Sequence, residues 1–300
     1  MIAKGFVAFL IVIILVVSAA ACGGGEAKEP AEEIADAAVA VYAGLDTYQF
    51  DMDMTMEIDI TTAEGVVEGR VTVKVNGASD KANQKKYLNM QMSADYPEAV
   101  EEEVEQYTID DYMYLKMDVP GEPPKWVKWK LCRPCGGGEE DIVSQQVNLL
   151  KNATDVKHID TETLDGTECY VLEVRPGLEK LWQWIQEQQM IGERLPNLGS
   201  DPEQVINDFS INQWIAKDTY FTLKSTLDMT LSFSLRASSL LASACPSCGP
   251  IPPFPADFVR TCDITVTVVV YDINEPVTIE LPPEAEGAGE VPIPVPFLGS

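Results

Sequence analysis

The chain has a single histidine, His158, and only 21 basic residues against 48 acidic ones. One imidazole leaves most Ser-His, Cys-His and poly-His sites without their base or their ligands. His158 has charged neighbours at the side of a strand pattern and reads as a surface residue. The sequence also lacks a G-x-S-x-G elbow, a P-loop, a dinucleotide fingerprint and a calcium loop of alternating Asp/Asn closed by Gly. Carboxylate pairs such as Asp110-Asp111 are uninformative among 48 acids, so the expectation is a protein that is not an enzyme. The formal charge of −27 repels nucleic acid and anionic headgroups, and neither is expected to bind through simple charge attraction. No repeat of fixed period and no low-complexity linker interrupts the middle of the chain, so residues 34–283 are expected to form one domain.

The N-terminal segment is apolar but short. Phe6 to Val17 is a twelve-residue run, against the roughly 20 residues that a membrane-spanning helix needs. It follows Lys4, precedes Ser18 and three alanines, and ends at Cys22, then "GGGEAKEP". This arrangement resembles a bacterial lipoprotein signal, with Ala19 where Leu is commoner. The resemblance implies that residues 1–21 are a signal peptide and that Cys22 becomes a mature N-terminus carrying a diacylglyceryl group. Two or more acyl chains such as palmitate hold a protein stably on a membrane where one is marginal. Residues 22–33 then comprise the lipidated Cys and a flexible tether with a mean reach of roughly 17–20 Å. The expected location is outside the cytoplasm, lipid-anchored to the outer face of the cell membrane or within the envelope.

Beyond the tether, "EEIADAAVAVYA" predicts a helix over 32–43 that Gly44 ends. "DMDMTMEIDI" then alternates strictly, with Met52, Met54, Met56, Ile58 and Ile60 on one side of an extended chain and acids and Thr on the other. "VVEGRVTVKV", "YLNMQMSA", "YTIDDYMYLKM" and "KWVKWKL" predict further strands, while the acidic run Glu98–Gln106 reads as a solvated turn or short helix. Helices are expected over 139–151, over 176–189 and in "DPEQVINDF", and a hairpin is expected to turn at Asp165-Gly166. "TYFTLKSTLDMTLSFSL" alternates over 17 residues, roughly 55 Å if straight, more than a compact domain of this size offers. The strand must bend or project, and "RTCDITVTVVVYDI" repeats its pattern. Curved sheets of long strands leave a hollow, and Met suits a wall that touches flexible chains. We therefore expect Met52, Met54, Met56, Phe221, Leu223, Leu227, Met229, Leu231 and Phe233 to line one apolar ligand cavity. A packed core is the competing reading.

The order of helix, antiparallel meander with "YTIDDYMYLKM" and "KWVKW", "LDGTECYVLEV", "INQWIAKDTYFTLKSTLDMT" and terminal "YDINEPVTIELPPEA" resembles the LolA/LppX group of bacterial lipid-handling proteins. What the resemblance implies is an α+β fold: a strongly curved antiparallel sheet, an incomplete β-barrel, with helices capping its concave face. It also implies a carrier that receives lipid or acyl chains in that hollow. The alternative is a non-enzymatic envelope lipoprotein without a transported ligand, whose Trp126, Trp129, Trp182, Trp184 and Trp214 anchor an envelope protein partner. The Pro- and Gly-rich residues 284–300 are expected to be disordered.

Six further cysteines remain. Cys132/Cys135 and Cys245/Cys248 form two C-x-x-C pairs, a spacing that suits a four-thiolate structural zinc site, whereas an exported chain favours disulfides. Both readings stay open for these four, with disulfides first. Cys169 and Cys262 are expected to form a third disulfide, and no cofactor is expected unless it is that zinc. The anchor gives the first test: Cys22→Ala should move the protein from the membrane fraction to the soluble one, and continued retention would count against lipidation.

Overall fold

The computed structural model describes residues 30–62, 65–95, 99–117, 124–131, 142–187, 202–236 and 257–291. Helix α1 (Pro30–Val41) has Pro in its first turn, where a missing N–H costs nothing, and runs through a 3₁₀ turn (Tyr42–Gly44) into the sheet. Strands β1 (Thr47–Thr62), β2 (Gly65–Asp80), β3 (Lys85–Ala94), β4 (Val100–Ile109), β5 (Tyr112–Met117) and β6 (Lys125–Lys130) follow as a meander. After α2 (Ile142–Lys151) come β7 (Ala153–Leu164), β8 (Thr167–Pro176), α3 (Leu178–Glu187), α4 (Pro202–Val205), β9 (Ile206–Ala216), β10 (Thr222–Arg236) and β11 (Asp257–Tyr271). A last turn of helix, α5 (Pro283–Glu286), leads to the short β12 (Gly289–Glu290).

All twelve strands form one sheet in the order β12-β6-β5-β4-β3-β2-β1-β11-β10-β9-β8-β7. Its pairs are antiparallel except β12 on β6. Two meanders, β1–β6 and β7–β11, are thus joined within the sheet by the β1–β11 ladder. The sheet stays open, with β7 and β12 as its edges. Adjacent strands rotate by roughly 20–25°, so a sheet this wide turns through more than half a revolution and cannot be flat.

The alternation in β1 sets which face is inside. One row of directly opposed residues crosses eight strands: Met92, Val73, Met54, Val266, Leu227, Ile211, Val174 and Val156. Helices α1 and α2 lie on this inner face. Ala31, Ile34, Ala35 and Ala38 of α1 pack with Leu150, Leu172, Val174, Ile211 and Ile215, and Ile142 and Val143 of α2 pack into the cluster around Met52, Met54 and Met56. The opposite face carries Asp51, Asp53, Glu57 and Asp59 into solvent.

Several elements differ from expectation. The acidic run is a strand, because Val100 and Val104 meet Ala94 and Met90 on the inner face while Glu101, Glu103 and Glu105 point outward. "YTIDDYMYLKM" is two strands, split by a turn in which Asp110 takes a positive φ of 52°. "DPEQVINDF" is helical only to Val205, and Ile206 already pairs with Leu231 in the sheet. Within the tail, Pro283–Glu286 form a helical turn, Gly289–Glu290 pair with β6 and the Val291 N–H bonds to the Lys128 carbonyl at 2.9 Å, while residues 292–300 lie outside the described residues. At the predicted β7–β8 turn, Asp165 and Gly166 have φ of 47° and 89°, the positive values that a tight two-residue hairpin requires.

No disulfide joins Cys169 to Cys262. They lie on β8 and β11, three strand steps or roughly 14 Å apart, where a bridge needs Cα atoms within about 7 Å. They also face opposite ways: Cys262 opposes Ile58 on the inner face, and Cys169 packs with Val171 and Trp214 on the outer one. Burial pushes the Cys169 thiol above its usual pKa, which keeps it protonated. Cys132, Cys135, Cys245 and Cys248 lie outside the described residues. Reduction should therefore raise the intact mass by about 4 Da if those four form two disulfides, since each broken bridge adds two hydrogens. Bound stoichiometric zinc and no mass change is the outcome of the other reading.

Gly77 gives a second test. It opposes Phe50, and a Cβ built there would lie 2.5 Å from the Phe50 ring and 2.8 Å from the Tyr87 carbonyl oxygen. Gly77→Ala should cost about 1–3 kcal/mol in denaturant unfolding, because backbone on one side prevents relief. A variant as stable as wild type would show that the ring moves freely.

Candidate ligand-binding face

The inner face has two parts. At its centre, Met52, Met54 and Met56 are 5, 3 and 2% exposed, ringed by Val71, Val73 and Val75 on one side and Ile264, Val266 and Val268 on the other. That region is filled. Methionine here fits the uneven gap between β-branched neighbours and the α2 residues above.

The second part lies where strands overrun their neighbours. The β2–β3 ladder stops at Val71–Ala94 and the β9–β10 ladder at Ile206–Leu231, so β2, β1, β11 and β10 project together by about four to six residues. On the inner side of this projection and at its root, Ile60, Ala94, Val100, Val104, Met229, Leu231 and Val266 are only half-buried. At the β1–β2 tip Val66 and Val67 are exposed. Beside it a cleft of about 200 Å³ opens between the charged Arg70, Asp95 and Glu101 and the apolar Ala94, Ala99 and Val100.

The expected cavity residues divide accordingly. Met52, Met54, Met56, Leu227, Met229 and Leu231 share the inner face: Val266 separates Met54 from Leu227, and Ile264 separates Met56 from Met229. Phe221, in the turn before β10, packs against the same cluster. Leu223 does not join them. A bulge between Thr222 and Lys224 interrupts the alternation, and Leu223 packs on the outer side with Cys169, Val171 and Trp214. For Phe233 only the register is described, opposite Arg260.

Among the described residues no group of three or more His, Cys, Asp or Glu is placed to hold a metal ion. His158 is exposed on the edge strand β7, edge-on to the Tyr170 ring at 5.5 Å. Of the tryptophans, Trp129, Trp182 and Trp214 are buried and Trp126 is half-buried, which removes three of them as exposed anchors; the Trp184 side chain lies outside the described residues. Trp214 donates to Glu162 at 2.8 Å beneath the Lys224 ammonium, 4.3 Å from its ring. Sequence reasoning had no access to the half-buried strip, because strand overrun depends on where the neighbours stop. No helix among the described residues is long and apolar enough to cross a membrane.

Comparison with solved structures finds LprF from Mycobacterium bovis at 11% identity and a TM-score of 0.41, covering 86% of this chain and 99% of that one. The Mycobacterium tuberculosis lipoprotein LppX is similar at 14% identity and a TM-score of 0.37, over 84% of this chain and all of that one. A Vibrio parahaemolyticus domain described as belonging to an outer membrane lipoprotein-sorting protein matches at 12% identity and a TM-score of 0.23, over 83% and 94% of the two chains. Comparison with curated proteins gives no match. The profile of DUF6612, a family of unknown function, matches residues 30–241, from α1 past the end of β10, and the chain belongs to that family.

Proposed function

We propose that this protein is an exported, membrane-anchored lipoprotein that holds an apolar ligand, the acyl chains of a lipid, against the projecting end of its inner face. The supporting observation is that Ile60, Val100, Met229 and Leu231 stay half-buried on the inner face around the buried Met56, Ile58, Val71, Cys262 and Ile264, with Leu231 bordering the cluster of Leu181, Trp182 and Val205. An alkyl chain laid there removes apolar surface from water at about 25 cal/mol per Å², with Glu102, opposite Met92 on the same face, at the margin where a polar headgroup fits. Met229 and Leu231 adapt to chains of varied length, and no covalent chemistry is needed for this role. The N-terminal anchor at Cys22 would keep the strip within a tether's reach of a membrane.

The filled centre favours a second reading, an envelope lipoprotein whose inner face is only a core and which carries nothing. The two readings diverge on paired substitutions. Met54→Gln buries an amide without partners and should cost about 1–3 kcal/mol under either reading. Met229→Gln, on the half-buried strip, should leave the melting temperature close to wild type yet reduce the lipid that co-purifies in native mass spectrometry. Wild-type protein that carries no lipid, from its native membrane or after incubation with phospholipid, would remove the carrier reading.

A further inference from the structure

Helix α3 and the short α4 pack on the inner face near Ile206 and Leu231, where β9 stops pairing with β10. Leu178, Leu181 and Trp182 fall at i, i+3 and i+4, which puts them on one side of α3, while Glu179 and Lys180 are exposed on the other. Leu181 and Trp182 pack with Val205 of α4 and Ile206 of β9, and the half-buried Leu178, Phe209 and Leu231 border that cluster. Leu231 also borders the central cluster of the sheet, so the helix meets the half-buried strip here. Trp182 is 5% exposed, and its enclosed indole N–H has no hydrogen-bond partner among the described residues.

A buried indole N–H ordinarily has an acceptor, and Trp214 has one here, donating to Glu162 at 2.8 Å. Leaving the donor empty costs free energy that an acceptor brought against it would recover. Water is a poor occupant, because it needs roughly two to four polar partners and the side chains around Trp182 are apolar. The orphaned amide atoms of Gln146 and Gln213 differ, since those residues are already in contact and a shared water would have several partners. We propose that Trp182 is a specificity-determining residue of the ligand-binding face: its N–H donates to an ester carbonyl of a lipid whose acyl chains lie on the half-buried strip. This rests on the carrier reading of the inner face. A carbonyl is preferred over a free carboxylate, because a single N–H does not offset the burial of a charge and the chain already carries −27.

The test incubates the full mature chain with vesicles of diacyl phosphatidylcholine and its dialkyl ether analogue in equal amounts. These lipids differ only in the ester carbonyls, and the lipid retained is read by native mass spectrometry. Wild type should retain the ester form over the ether form by about three- to tenfold. Trp182→Phe keeps an aromatic ring and removes the donor, and it should take up both forms alike. Its melting temperature should change little, because lost ring contacts are offset by removal of an unpartnered donor. In isotope-labelled wild type, one indole N–H resonance should move downfield with the diacyl lipid and stay in place with the dialkyl one. Absence of that shift overturns the proposal however well Phe packs. Equal retention of the two forms by wild type, or an ester preference that survives Trp182→Phe, also overturns it and leaves the carrier reading standing. Preference for free palmitate over the diacyl lipid overturns the assignment of a neutral acceptor. Retention of no lipid at all would instead remove the carrier reading, and this proposal with it.

Discussion

The ladder between β1 and β11 is the contact on which the structure depends. It pairs Gln49 with Tyr271 at one end and Thr61 with Val259 at the other, and it joins the two meanders within the sheet. Its lower end is locked by side chains. Asn274 accepts from the Asp46 N–H at 2.9 Å and donates to the Gly44 carbonyl at 3.0 Å, Gln49 donates to Asp272 at 2.6 Å, and Thr47 donates to the Glu275 carbonyl at 2.7 Å. Asp272 and Asn274 take positive φ values of 50° and 59°, tolerable for short polar side chains that bond locally. These contacts span over 220 residues of sequence. The entropy of closing so long a loop grows only logarithmically, but contacts so remote in sequence are formed slowly.

Once β1 and β11 are paired, the two faces of the sheet have separate duties. The inner face takes the helices and most of the apolar side chains. Between its two main clusters a polar seam runs where Gln213 of β9 donates to the Gln146 carbonyl of α2 at 3.0 Å, both residues fully buried. That bond sets the place of α2 on the sheet, since a buried amide without its partner is costly. The outer face is acidic over β1, carries both signs over β2, and over β3 to β6 sets aromatic rings among lysines and glutamates. The apolar inner face and the aromatic outer surface are therefore back to back.

The sheet's departures from regularity decide what its alternation can do. The bulge at Thr222–Lys224 transfers Leu223 to the outer face, where it covers Cys169 and Trp214. The overrun of β2 past β3 and of β10 past β9 leaves part of the inner face half-covered instead of packed. Both features arise from neighbour lengths and pairing, not from the local pattern.

Alternation alone determined that Met52, Met54 and Met56 share one face with Leu227, Met229 and Leu231, because a period of two admits only two faces and one of these was apolar throughout. It likewise determined the Asp165-Gly166 hairpin, since few residues accept paired positive φ, and the helix that Gly44 closes. It did not reveal that Glu98–Gln106 is mostly strand, because Glu102 falls between Val100 and Val104 on the inward side and breaks the apolar alternation. Tertiary structure decided that the methionines are packed instead of lining a hollow, since α2 covers them from far along the chain. It decided that Cys169 and Cys262 lie apart, because β9 and β10 pair between them. It also decided where the apolar face is left uncovered and which rings meet on the outer side, because register joins residues that no local pattern relates.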